Sequence, residues 1–163
     1  MHAIVAGVML CVLAAGPETA QRTERQYQVP AGTALLLKLR TPVDSGTATV
    51  LDQVEATLWS PVVQDGTVLI PEGSVAFGAI VDVKRASEKV PVGSVAIAFS
   101  IVEHGETKSR ATMTTRPIVV EAPRPQPTQG GRRERVKPTN VTLPEGAPFV
   151  AITAEPLVVR IPK

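Results

Sequence analysis

From Thr33 to Arg40 the chain alternates, with Leu35, Leu37 and Leu39 on one side and Ala34, Leu36, Lys38 and Arg40 on the other. This is the period-2 signature of a half-buried strand. A loop of Pro, Asp, Ser and Gly character follows from Thr41 to Thr47. Gln53 to Trp59 then sets Val54, Ala56 and Leu58 against Gln53, Glu55, Thr57 and Trp59. The first set is expected inside, which leaves Trp59 on the polar side. A lone aromatic there is either covered by a neighbouring loop, the reading favoured here, or part of a contact surface. Asp65-Gly66, between Ser60-Pro61-Val62-Val63 and Thr67-Val68-Leu69-Ile70, is a hairpin signal.

Ser74 to Lys84 reads as a strong strand with Val75, Phe77, Ala79, Val81 and Val83 inward, and Gly78 in its middle marks a bulge or a sharp bend. Ser94 to Val102 repeats the pattern with Val95, Ile97, Phe99 and Ile101 inward. Glu103-His104-Gly105-Glu106 is read as a solvated turn into the Thr-rich segment Thr107 to Thr115, an exposed or edge strand. Asn140 to Leu143, Phe149 to Thr153 and a closing strand with Leu157, Val159 and Ile161 complete the pattern. No stretch of period 3.6 occurs outside the N-terminal segment. A hydrophobic-Pro-x-Gly phrase recurs four times, at Val29-Pro30-Ala31-Gly32, Ile70-Pro71-Glu72-Gly73, Val90-Pro91-Val92-Gly93 and Leu143-Pro144-Glu145-Gly146. Proline supplies no ladder N–H and glycine accepts positive φ, so the phrase punctuates strands. Its uneven spacing excludes a solenoid. The expectation is an all-β chain, a small closed or partly open β-barrel of about eight or nine short strands.

Between Pro117 and Pro138 the pattern stops. Pro123-Arg124-Pro125-Gln126-Pro127 and Gly130-Gly131 predict a flexible, extended or disordered Pro/Arg-rich loop that builds no core. From Glu121 to Asn140 the charges are Arg124, Arg132, Arg133, Arg135 and Lys137 against Glu121 and Glu134, so this stretch is locally positive and the rest of the chain, whose formal total is +2, is close to neutral. A solvated loop is the favoured reading, with contact to an anionic membrane surface through residues 121–140 as the alternative. Nucleic acid is excluded as a partner, because neither interleaved aromatics nor a long basic stripe is present.

The 163 residues, 44% hydrophobic and 3% aromatic, suit one domain with a core of Val, Ile, Leu and Ala. Ala3 to Ala15 is an uninterrupted apolar run, shorter than the ~20 residues of a membrane-spanning helix. It reads as an export signal over residues 1–20, with cleavage after Ala14 or Ala20, although its n-region holds only the α-amino group and His2. Residues 21–163 are then a single β-barrel domain interrupted by the loop 117–138. Cys11 is the only cysteine and lies in the leader behind bulky Leu10, a poor lipidation context, so the exported chain has no thiol for a disulfide, metal or nucleophile.

Candidate chemistry is sparse. Pro42-Val43-Asp44-Ser45-Gly46-Thr47 matches the aspartic peptidase phrase, in which two carboxylates share a proton and activate water. A single copy demands a homodimer, and the later hydrophobic-hydrophobic-Gly segment of such enzymes is poorly matched around Phe77-Gly78 and Leu69-Ile70-Pro71. His104 is the only histidine beyond the leader, too few for a histidine-based metal or triad site. No metal or cofactor is expected. Asn140-Val141-Thr142 is a glycosylation acceptor by sequence.

Val29-Pro30-Ala31-Gly32, the Asp44-Ser45-Gly46 loop, Val54-Glu55-Ala56, the segment from Pro61 to Asp65, Leu69-Ile70-Pro71-Glu72-Gly73-Ser74 and Gly78 come in an order that resembles a known domain. It is the C-terminal β-barrel of the outer-membrane core-complex subunit of conjugation-type type IV secretion systems. Pro138-Thr139-Asn140-Val141-Thr142-Leu143-Pro144-Glu145-Gly146 and Phe149-Val150-Ala151-Ile152 look like that family's closing strands. The resemblance spans roughly Val29 to Ile161. The family's helical antenna is replaced here by the stretch from Pro117 to Pro138, and its cytoplasmic tail, inner-membrane helix and periplasmic linker are missing, which removes the basis for a pore-forming or energy-sensing role.

The resemblance implies a non-enzymatic exported protein of a Gram-negative-type envelope, periplasmic or outer-membrane-associated, serving assembly or protein contact with envelope proteins or by self-association. Trp59, Tyr27, Arg132, Arg133, Arg135 and Lys137 are its expected contact residues. A homodimeric aspartic peptidase using Asp44 and a small-ligand-binding barrel are the alternatives.

Overall fold

Two long antiparallel strands carry the fold, β7 (Val75–Lys84) and β8 (Ser94–His104). In the computed structural model, which describes residues 24–105, 108–124 and 137–162, they lie in the middle of a curled sheet. The other members of that sheet are β2 (Ala34–Leu39), β4 (Gln53–Leu58), β9 (Ser109–Thr112), β10 (Ile118–Glu121) and β12 (Pro148–Ile152). Hydrogen bonding runs in the order β10-β8-β7-β4-β2-β12, with β9 beside the far end of β8. Three two-stranded ribbons complete the architecture: β1 (Glu24–Val29) with β13 (Leu157–Pro162), β3 (Val43–Asp44) with β11 (Thr142–Leu143), and β5 (Val62–Gln64) with β6 (Thr67–Ile70). No helix occurs among the described residues, so the all-β class holds. The short ribbons raise the strand number above the eight or nine expected.

The sheet curls until its ends meet. The rings of Phe99 on β8 and Phe149 on β12 stack at 5.6 Å across the interior. The seam is joined by a single bridge, Thr115 to Thr153, flanked by Arg116 N to Ile152 O at 2.8 Å and Ala154 N to Thr114 O at 2.7 Å. Both threonines are buried and their hydroxyls are satisfied. Thr115 Oγ1 accepts from Phe99 N at 2.8 Å, and Thr153 Oγ1 accepts from Thr33 N at 2.9 Å while donating to Pro30 O at 3.1 Å. Beyond the bridge β10 and β12 are not hydrogen-bonded to each other, so the barrel is partly open.

Leu35, Leu37 and Leu39 of β2 and Val54, Ala56 and Leu58 of β4 all point inside, as their alternation requires. The same logic fails in β7. Ala76 and Ile80 are buried, Val75, Phe77, Ala79 and Val83 are only partly buried, and Val81 is 43% exposed. Two irregularities of register explain the difference. One places Ser100 of β8 as an extra residue opposite the Phe77/Gly78 step, and the other makes Val81 extra on β7, so alternation changes phase within each strand. On β8 the shift leaves Ile101 half-buried and turns Val102 inward. Gly78 sits at the first shift, facing Phe99. A Cβ there would run into the Ala98 carbonyl and the Phe99 ring, so only glycine permits the approach.

Three of the four Pro-x-Gly phrases form the same turn, with Gly32, Gly73 and Gly146 at φ of 81° to 84°. Ser74 N to Pro71 O at 3.3 Å and Ala147 N to Pro144 O at 3.1 Å close two of them. Gly93 departs from the pattern. It is glycine because a Cβ would lie 2.7 Å from Ser45 Oγ. Asp65-Gly66 forms the expected two-residue hairpin, both residues at positive φ. The stretch from Pro117 to Pro138, expected to lack order throughout, contains β10 paired with β8, and Ala122 after it is 4% exposed. Ile118-Val119-Val120 supplied the β-branched run that the prolines on either side obscured. Residues 125–136, and the expected leader with Cys11, lie outside the described residues.

Replacing Gly78 with alanine is expected to destabilise the fold by about 1–3 kcal/mol, the usual cost of overpacking. Urea unfolding followed by circular dichroism measures it, with Val63→Ala at an exposed position as the control.

Candidate functional site

The Asp44 loop joins distant parts of the chain. β3 pairs with β11, so Asp44 stands opposite Thr142. Its Oδ1 accepts from Gly46 N at 2.7 Å and its Oδ2 from Thr142 Oγ1 at 2.7 Å. Its carbonyl receives Thr47 N at 3.1 Å and Ala48 N at 2.8 Å. Fully buried Ser45 adds a second tie: Ser45 N donates to Val141 O at 2.8 Å, Val141 N donates to Ser45 Oγ at 2.9 Å, and Ser45 Oγ donates to Asn140 Oδ1 at 3.3 Å. Asn140 Oδ1 also accepts from Ala86 N at 2.9 Å. The Asp-Ser-Gly phrase therefore fastens the C-terminal segment and the β7–β8 connection to the barrel.

The electrostatics agree with that role. The hydrogen bond from Thr142, and after it the one from Gly46, hold the Asp44 carboxyl below its ordinary value. Among the described residues no second carboxylate bonds to it. Asp52 lines the same shallow cleft but is engaged separately, accepting from Thr49 N at 2.8 Å and Thr49 Oγ1 at 2.7 Å, which lowers its pKa too. Asn140, the glycosylation acceptor by sequence, enters this network through Oδ1, the atom that does not carry a glycan.

His104 is not the solvated turn residue the sequence suggested. β8 continues through it, and it is 6% exposed, with burial pushing its pKa down. The strand extends because Val102 and His104 share the inward face created by the bulge. A cleft of about 580 Å³ opens beside it, with Phe77, Glu72 and the ion pair Arg40–Glu55 at 3.4 Å on its walls. No cluster of three metal-ligating side chains occurs among the described residues. The barrel interior is filled by Phe99, Ile80 and the leucines of β2, β4 and β6.

Of the expected contact residues, Trp59 follows β4 and is 43% exposed, and among the described residues the loop favoured from sequence does not cover it. Lys38 Nζ stands 5.0 Å from its ring centroid instead, an arrangement worth about 0.5–1 kcal/mol at an exposed site. Lys38 and Leu36 are on the outer face of β2, opposite Pro148 and the exposed Val150 of β12. Trp59 thus belongs to a partly apolar outer surface. The apolar Leu36 on the polar side of β2 was the sequence signal for it. Tyr27 belongs to a different sheet, half-buried in β1 opposite Val159. Lys137 is exposed, and Arg132, Arg133 and Arg135 lie outside the described residues.

No protein-family model and no curated protein matches the sequence. Among solved structures the chain is similar to ComB10 of the Com type IV secretion system of Helicobacter pylori. The TM-score is 0.52 at 14% identity, over 83% of this chain and 92% of that one. At this identity the likeness is one of fold, and it supports a distant resemblance to the secretion-core barrel.

Two outcomes follow from these contacts. Gly46→Ala is expected to cost about 1–3 kcal/mol, since the new Cβ would lie 2.6 Å from Asn140 Nδ2 and 2.9 Å from Asp44 Oδ1; urea unfolding checks it. His104 has a folded pKa below its unfolded value of 6.5, so acid favours the unfolded chain. Stability is expected to decline as pH falls through 6.5 toward the folded pKa, and thermal melts of His104→Gln across the same range should show a flatter dependence.

Proposed function

We propose that this chain is a non-enzymatic scaffold of the bacterial envelope, exported to the periplasm or the outer-membrane side and acting through contact with other envelope proteins. The observation that carries this reading is a fold likeness to a secretion-system subunit that extends over 83% of this chain and 92% of that one. The use of the Asp44 carboxylate as a strand fastener, with both oxygens occupied, supports it. Trp59, held by Lys38 beside Leu36 and Val150, is the contact surface, because exposed aromatics with apolar neighbours supply most binding energy at protein interfaces.

The test is to express the chain with its own N-terminus in a Gram-negative host, solubilise the envelope in detergent and measure the particle that contains it. An assembly with other envelope proteins is expected, and Trp59→Ala should weaken it at least tenfold, the scale of an interface hot spot. A bare monomer or dimer, joined by an acid peptidase activity that Asp44→Asn abolishes, would replace the scaffold by an enzyme.

A further inference from the structure

Folding gathers basic residues that are scattered in sequence at one end of the barrel. Lys84 ends β7, and the β7–β8 connection that follows carries Arg85 and Lys89. It is laced to the segments containing Arg124 and Lys137 through Ala122 N to Gly93 O, Gly93 N to Thr139 O and Thr139 N to Pro91 O, each 2.9 Å. The Asn140 side chain adds the bond from Ala86 N at 2.9 Å. All five cations are exposed, and none makes an ion pair among the described residues. Arg85 Nη2 also donates to Ala48 O at 3.4 Å.

The acidic groups at this end offset them only in part. Asp44 is taken up by Thr142 and Gly46, Glu88 has an interaction of its own, and the exposed Asp82 and Glu121 stand near Lys84, Glu121 in the same cross-strand row. Near the other end of β7 and β8, by contrast, arginines are paired, Arg40 with Glu55 at 3.4 Å and Arg110 with Glu103 at 2.6 Å, with Glu72 and Lys108 beside them. Two exposed apolar side chains accompany the cations, Val90 in the connection (46%) and Val119 on β10 (62%). No aromatic residue stands in these segments to stack on bases, which argues against a nucleic acid.

We propose that this end of the barrel docks on an anionic bilayer surface, its five cations facing headgroup phosphates and Val90 and Val119 entering the interface. Unpaired cations around small apolar side chains are complementary to such a surface, and each Lys or Arg close to it adds about fivefold to binding. The attraction fades with salt, since screening acts over about 10 Å at moderate ionic strength. The inference goes beyond the scaffold reading and is tested on the purified chain without any protein partner, so the two stand or fall separately.

The experiment is co-sedimentation with phosphatidylcholine vesicles, with and without phosphatidylglycerol. Binding is expected only with phosphatidylglycerol and should weaken as salt is raised. Lys84→Gln/Arg85→Gln/Lys89→Gln should lose about a hundredfold, whereas Arg25→Gln/Lys108→Gln/Arg160→Gln, of the same net charge, should stay within about twofold of the parent. If the first triple variant does not fold, Lys89→Glu/Val90→Ser, which changes two exposed residues, takes its place. Equal losses in both triple variants would reduce the effect to net charge and overturn the proposal. So would indifference to phosphatidylglycerol, or binding to duplex DNA or polyglutamate by a chain that ignores the vesicles.

Discussion

The architecture depends on how closely β7 and β8 approach at Gly78. With no Cβ at that position the β8 backbone can press against it and Phe99 can enter the interior, where it reaches Phe149 on a strand that is distant in the sheet order. The register shifts on either side bend both strands, and a sheet bent in this way brings β12 back toward β9 and β10. Closure then needs little else: one bridge, two flanking hydrogen bonds and two buried threonines whose hydroxyls are satisfied locally. A barrel held this way remains open along part of its seam.

Polar fasteners complete what the curled sheet leaves loose. Asp44, Ser45 and Asn140 join β3, the β7–β8 connection and the approach to β11, segments that bury few large apolar side chains. A buried serine with every hydrogen bond made is stable, whereas one without partners would cost about 1–3 kcal/mol. Asp52 serves a comparable local purpose, capping the turn in which Leu51 adopts a φ of 76°. Asp44, the acidic residue that looks chemically active in the sequence, is in the fold a hydrogen-bond acceptor for Gly46 and Thr142.

Much of this was legible beforehand where one residue's neighbours decide its state. The alternation in β2 and β4, the Asp65-Gly66 hairpin and three Pro-x-Gly turns are local, and they appear as read. The errors fall where long-range geometry takes over. Simple alternation sets Val75, Phe77 and Ala79 in phase with Val83, yet the extra residue Val81 changes the phase of β7 and leaves Ala76 and Ile80 as its buried positions. Gly105 after His104 signals a turn in the sequence, while the burial of His104 depends on the phase shift at Ser100. At the candidate surface Trp59 was visible as an aromatic on a polar face, but its pairing with Lys38 depends on β2 and β4 being neighbours. The basic end was seen only in part, since no sequence rule joins Lys84, Arg85 and Lys89 to Arg124 and Lys137.

The central claim is that the Asp44 carboxylate is committed to fastening strands, with both oxygens held by Gly46 and Thr142. Titration of the Asp44 side-chain carboxyl by carbon-13 NMR tests it most directly. The account predicts one transition, below the ordinary value of 3.8, that moves up when Thr142 is replaced by valine. A midpoint above 3.8, or two coupled steps of the kind produced by carboxylates sharing a proton, would contradict it.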